Sequence, residues 1–81
     1  MSNEDNEKYE ELKERVGWGE EFLFYYHNEE YWISQNSPER YLTRSRGSIT
    51  QVFQSTEELF ENGRIEGKSL LEIWDDIKQY F

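Results

Sequence analysis

The spacing of apolar and polar positions changes along the chain, and each change marks an element. Between residues 4 and 16, Tyr9, Leu12 and Val16 recur every three or four residues, which predicts a helix with one thin apolar stripe. Glu4 with Lys8 and Glu11 with Arg15 make favourable i,i+4 pairs along it. Gly17 is placed to stop this helix, and Trp18 to make the apolar contact that often follows a helix end. The period then becomes two. Residues 21–26 and 31–35 alternate, as the arms of a hairpin do. A two-residue turn at Asn28-Glu29 would set Tyr26 opposite Tyr31, Phe24 opposite Ile33 and Phe22 opposite Gln35. Phe22, Phe24, Tyr26, Tyr31 and Ile33 then share one face, and Leu23, Tyr25, Trp32 and Ser34 the other. Glutamate is not the favoured second residue of such a turn, so a longer loop also fits.

Asn36-Ser37-Pro38-Glu39 is a turn signal. A second pair of runs follows, Arg40 to Arg44 and Ile49 to Gln54, around Ser45-Arg46-Gly47-Ser48. Two registers fit it. One pairs Tyr41 with Val52; a slip by one pairs Leu42 with Val52 and exchanges the faces. Ser55 and Glu58 form a capping box that opens a short helix, Thr56 to Asn62, stopped by Gly63. Ser69 and Glu72 form a second box, opening a helix from Leu70 to about Tyr80. Leu70, Ile73, Trp74 and Ile77 are its apolar stripe, closed by Phe81 or Tyr80. The expected fold is α+β: a four-stranded antiparallel sheet of two hairpins, with an N-terminal helix and two C-terminal helices. The C-terminal helix is the expected cover for one sheet face. Residues 1–81 are expected to form a single domain, with residues 1–8 frayed.

Composition sharpens this picture. Only 35% of the 81 residues are hydrophobic, but aromatic residues make up 17% of the chain, and large rings bury much area apiece. There is no cysteine, hence no disulfide and no thiolate metal site. No run of apolar residues is long enough to span a membrane, and the N-terminus has no basic-then-apolar leader, so a cytoplasmic location is expected. The net charge of −9 excludes free nucleic acid as an expected ligand and favours a basic partner. Residues 1–30 carry ten acids against three bases, and residues 57–81 seven against three, whereas residues 31–56 are weakly basic.

No catalytic or cofactor motif stands out. Gly63-Arg64-Ile65-Glu66-Gly67-Lys68-Ser69 superficially suggests a phosphate loop, but it has three residues between the glycines where four are needed, and no strand precedes it. A loop that ends one helix and caps the next explains every residue. The single histidine, His27, lies at a hairpin tip and reads as a solvated turn residue. Adjacent carboxylates diverge on a helix and point to opposite faces of a strand, so the acidic doublets make no acid–base pair. No metal, cofactor or catalytic residue is expected. Arg40, Arg44, Arg46 and Arg64 read as internal partners for glutamates along a sheet edge. The face bearing Tyr25 and Trp32 has two possible covers: the helix over residues 4–16, or something outside the chain.

The hairpin FLFYYHNEEYWIS and the tail IEGKSLLEIWDDIKQYF resemble those of small acidic proteins from bacterial genomic islands and prophages. Some of these act as immunity proteins for toxins or as inhibitors of host-defence nucleases. The resemblance implies a stoichiometric protein inhibitor and transfers no catalytic residue. The expected function is therefore non-enzymatic inhibition of a basic, nucleic-acid-handling protein such as a nuclease, by carboxylates that imitate phosphates. Glu20, Glu21, Glu29, Glu30, Asp75 and Asp76 are the expected charges, with Tyr25 and Trp32 as anchors. The alternative is a small structural or regulatory adaptor, monomer or homodimer, acting through homodimerisation or through an exposed aromatic sheet face. An enzyme would need a pocket with converging polar groups, and the sequence supplies none.

Overall fold

The computed structural model describes residues 3–81, with side chains from residue 6 onward. The expected fraying of residues 1–8 lies partly outside this range, as does the Glu4–Lys8 pair. The chain runs as α1 (Asn3–Gly17), β1 (Phe22–Tyr26), β2 (Glu29–Asn36), β3 (Glu39–Arg44), β4 (Ile49–Phe53), α2 (Thr56–Asn62) and α3 (Trp74–Ile77), with a closing 3₁₀ turn at Lys78–Tyr80. The four strands form one antiparallel meander in the order β1-β2-β3-β4. The α+β class and the sheet of two hairpins are as the sequence predicts.

α1 ends at Gly17, one residue beyond the expected 4–16 span, but Gly17 does not supply the left-handed stop. Gly19, not Gly17, takes the left-handed conformation (φ 101°). Its N–H donates to Val16 O at 3.1 Å, and the Glu20 N–H donates to Arg15 O at 3.1 Å. These are the paired bonds of a Schellman end, and they need the left-handed residue two positions beyond Gly17. Trp18 makes no apolar cap and is left exposed. The reversal brings Glu20 back onto Arg15, so Arg15 makes its close ion pair with Glu20 rather than the expected one with Glu11.

The first hairpin turns at His27-Asn28, one residue earlier than expected. Both residues have positive φ (50° and 63°), which a two-residue type I′ turn requires and which asparagine tolerates well. Glu29 is thereby freed to start β2. Phe22 pairs with Ile33, Phe24 with Tyr31 and Tyr26 with Glu29, so the register differs from the expected one by two residues. A shift of two keeps every side chain on its face. The second hairpin takes the register that pairs Tyr41 with Val52, which turns Leu42 and Phe53 to the core and Tyr41 and Val52 away from it.

α1 and the C-terminal segments pack on the same side of the sheet, which answers which face α1 covers. Rings form a continuous path there: Phe60 to Tyr9 (5.7 Å between centroids), Tyr9 to Trp74 (5.1 Å), Trp74 to Phe81 (5.7 Å), Phe81 to Phe24 (5.4 Å) and Phe24 to Tyr31 (5.7 Å). Edge and offset contacts of this kind add to the burial of the rings themselves. Leu12, Val16, Ile33, Leu42 and Leu59 fill between them. Arg40 is buried in this layer, where its side chain donates to Val16 O (3.2 Å) and Gly17 O (3.1 Å) and so fastens β3 to the end of α1. It is therefore neither at a sheet edge nor paired with a glutamate. Arg44 and Arg46 do pair with a glutamate, Glu29, while Arg64 donates to the carbonyls of Glu61 and Gly63.

Ser55 caps α2 as expected, accepting from Glu58 N–H at 3.1 Å. The Ser69–Glu72 box is reciprocal: Ser69 N–H donates to Glu72 at 2.9 Å, and Glu72 N–H to Ser69 Oγ at 3.2 Å. The continuous helix expected from Leu70 to Tyr80 is broken, however. Turns lead into the single turn of α3, and i→i+3 bonds such as Trp74 N–H to Leu71 O (3.2 Å) and Phe81 N–H to Lys78 O (3.2 Å) replace part of the ladder. The tighter winding accompanies the seating of Phe81 against Phe22, Phe24 and Trp74, while the predicted stripe of Leu70, Ile73, Trp74 and Ile77 is fully buried.

Candidate partner-binding face

The far side of the sheet carries the residues that the inner layer leaves behind. Cross-strand pairing arranges them in rows. Leu23, Trp32, Thr43 and Thr50 make the central row, with Tyr25 and Glu30 on one side and Ser34, Tyr41 and Val52 on the other. Leu23 (47% exposed), Tyr25 (42%), Trp32 (48%) and Val52 (50%) remain open to solvent. None of the outward positions of the four strands is lysine, arginine or histidine, whereas Glu30 and Glu39 point outward.

Glu30 is the most highly connected carboxylate on this face. It accepts Ser45 Oγ–H at 2.6 Å, Tyr25 O–H at 3.2 Å and Trp32 Nε1–H at 3.2 Å. The Ser45 hydroxyl, helped by Tyr25 and Trp32, holds its carboxyl below the usual glutamate range, so it stays charged near neutrality. The same contact pushes the Tyr25 phenol up. Tyr41 O–H donates to Glu39 at 2.6 Å in a similar pairing. A shallow groove of about 250 Å³ lies between Glu21, Phe22, Leu23, Trp32, Ile33 and Ser34. At the β1 edge, Tyr25 meets Tyr80 (5.8 Å between centroids) beside a second depression, which Asp76 also lines.

The six expected charges do not act as one set. Glu21, Glu30 and Asp76 border the exposed aromatic residues. Glu20 is held in a fork by Arg15 (2.9 and 3.0 Å) and by Trp18 Nε1–H (2.6 Å), and Arg15 first, then Trp18, draws its carboxyl below the usual range. Glu29 is bound by Arg44 (3.3 Å) and Arg46 (3.2 Å). Asp75 pairs loosely with Lys78 at 3.5 Å. Tyr41, Val52, Glu39 and Ser45 also join the face. Tyr41 and Val52 depended on a register that two readings of the sequence allowed, and Ser45 on a loop contact that no local pattern encodes.

The other candidate features have structural explanations. Ile65 and Lys68 close a tight hairpin by two backbone bonds (2.8 and 2.9 Å) over Glu66 and Gly67, so the glycine-containing loop is not wrapped as a phosphate cradle. His27 lies 3.0 Å from Glu66 and stacks on Tyr26. Among the described residues, no group of three or more His, Asp or Glu side chains is placed to hold a metal ion, and no helix is long and apolar enough to cross a membrane. Fold and site together define an α+β domain with all helices on one side of a meander sheet and an aromatic, acid-bordered face on the other. No protein-family model, no curated protein and no solved structure matches the chain.

Proposed function

We propose that this protein is a non-enzymatic, cytoplasmic inhibitor of a basic, nucleic-acid-handling protein, and that it docks through the outer face of its sheet. The immunity or anti-defence class suggested by its sequence style fits this reading. One observation carries it: the sheet face that no helix covers is aromatic at its centre, and the only charged side chains in its outward strand positions are carboxylates. Exposed tyrosine and tryptophan bury large area on binding at low entropy cost. Carboxylates around them offer the charge pattern that a phosphate-binding cleft already recognises, and the net charge of −9 speeds the encounter. Nucleic acid itself is repelled. A second copy of the chain is a poorer occupant than a basic protein, because a homodimer would set two acidic faces against each other.

The test is binding to the purified partner captured from the source cell, together with inhibition of that partner's activity. Association should weaken steeply with salt. Trp32→Ala should weaken it about 10- to 100-fold, the range for an aromatic anchor, with the unfolding midpoint unchanged. A salt-independent complex, or one indifferent to Trp32, would refute the proposal. A dimeric mass in light scattering that Trp32→Ala abolishes would favour the homodimeric adaptor instead.

A further inference from the structure

Among the described residues, Glu20 and Glu30 each accept a tryptophan indole. Glu20 Oε2 accepts Trp18 Nε1–H at 2.6 Å, and Glu30 Oε2 accepts Trp32 Nε1–H at 3.2 Å. At Glu20 the arrangement is completed by an arginine. Arg15 reaches both carboxylate oxygens, and its guanidinium lies 4.9 Å from the centroid of the Phe22 ring. Charge, hydrogen bonds and an aromatic surface thus converge on one guanidinium.

At Glu30 the carboxylate and the rings are present, but the other donors are neutral. They are the hydroxyls of Tyr25 and Ser45. Among the described residues no lysine or arginine pairs with Glu30. Arg44 and Arg46, close in sequence, are committed to Glu29, whose strand position faces the opposite side of the sheet. The negative charge of Glu30 is held by dipoles alone, on an exposed aromatic face of a protein without a basic group in its outward strand positions.

We propose that Glu30, Tyr25 and Trp32 form a subsite for an arginine side chain of the partner. This rests on the reading of the outer face as the docking surface and names the group that the face would bind first. The contact differs in detail from the one at Glu20. Oε2 already receives Ser45 and Trp32, whereas Oε1 receives only Tyr25. A guanidinium would give one N–H to the open lone pair of Oε1 and a second to the Tyr25 hydroxyl oxygen, which lies 3.2 Å from it and still has acceptor capacity. Its plane would then lie against the aromatic rings. Lysine suits the subsite less well: its ammonium is strongly hydrated and has no flat face to stack.

The test uses the full chain, nitrogen-labelled, titrated with N-acetyl-arginine amide and, separately, with the lysine amide and the uncharged citrulline amide. The readout is the indole N–H resonance of Trp32, with Trp18 as an internal reference whose carboxylate already holds Arg15. The arginine amide should move Trp32 saturably and leave Trp18 in place. Glu30→Gln should lower the association constant about tenfold or more, as loss of a charged hydrogen-bond partner does. The lysine amide should bind more weakly and citrulline amide not measurably. An unsaturable shift, an equal movement of Trp18, an equal response to lysine, or a response unchanged in Glu30→Gln would overturn the subsite. Failure of the inhibitor reading is separable: arginine amide would still bind at Trp32 in a protein that captured no basic partner. A partner bound through the face with no dependence on Glu30 would instead overturn the subsite alone.

Discussion

Replacing Arg40 tests the joint between helix and sheet. Its guanidinium makes four hydrogen bonds, to the carbonyls of Val16, Gly17, Pro38 and Glu39 at 3.0–3.2 Å. Two of these acceptors are at the C-terminus of α1, where carbonyls lack helical partners and a cation is favoured by the helix dipole. Hydrogen bonds to a charged group contribute about 1.5–3 kcal/mol each. The full sum does not apply, because Val16 O also accepts from Gly19 N–H, and water can reach the exposed carbonyl side of Pro38. Arg40→Met keeps the aliphatic bulk and leaves Gly17 O without its donor. The expected loss is about 2–3 kcal/mol once methionine packing offsets part of it. For a domain of this size that lowers Tm by roughly 10–20 °C. Urea unfolding followed by tryptophan fluorescence measures it, with Trp74 as the buried probe, and the slope with urea should stay constant. Arg40→Lys should recover less than half, since an ammonium cannot reach carbonyls of both elements with a planar fork. An Arg40→Met protein within about 0.5 kcal/mol of the parent, the usual range for a surface change, would refute this account of the joint.

Gly63 has an ordinary φ of −63°, but a Cβ there would lie 2.5 Å from the backbone oxygen of Leu59; Gly63→Ala should therefore cost about 1–3 kcal/mol in urea unfolding, as overpacking does. Gly67 has open space and a φ of 80°, so Gly67→Ala should cost about 1–2 kcal/mol through backbone strain instead. Burial between Phe60 and Trp74 pushes the Tyr9 phenol up to about 12 from 10.0. The folded state therefore holds that proton longer than the unfolded chain. The stability is whole below about pH 10 and is lost as pH rises toward 12, by about 2 kcal/mol, which unfolding midpoints across that interval should show and Tyr9→Phe should remove.

The period-two pattern was enough to sort the first hairpin into two faces, because an error of two residues in register does not change parity. The turn itself was harder to read. Histidine in the left-handed region is not a strong turn signal, and Asn28 is compatible with either turn position. The end of α1 shows the same limit: Gly17 follows the apolar stripe directly, but the paired backbone bonds put the left-handed residue at Gly19. Long-range choices were less legible still. The stripe of Tyr9, Leu12 and Val16 says that α1 packs on something, not on which side of the sheet. That side is fixed by Trp74, Phe60 and Arg40, residues 24 or more positions away from the stripe's end. Tyr25 and Trp32 could be found from alternation alone, whereas the capture of Glu20 and Glu29 by arginines depends on a helix reversal and on a strand pairing.

The outer face also separates what folding requires from what it does not. Its tyrosines, threonines, valine and tryptophan are all strong strand formers, so strand propensity accounts for most of its composition without any partner. Propensity does not account for Glu30. Glutamate is depleted in strands, and this one is ordered by three donors while its charge stays beside open solvent. The bonds from Tyr25 and Trp32 are exposed and that from Ser45 is only partly buried, so together they add less to stability than the buried bonds of Arg40 do. Glu30→Thr substitutes a better strand former that also aligns with its outward neighbours. If folding alone set this position, the change would lower the unfolding midpoint. If the position serves recognition, the midpoint should stay the same or rise, while the response of Trp32 to N-acetyl-arginine amide is lost. A clear drop in stability together with retained arginine binding would reverse that assignment and make Glu30 a structural residue of the β1–β2 hairpin.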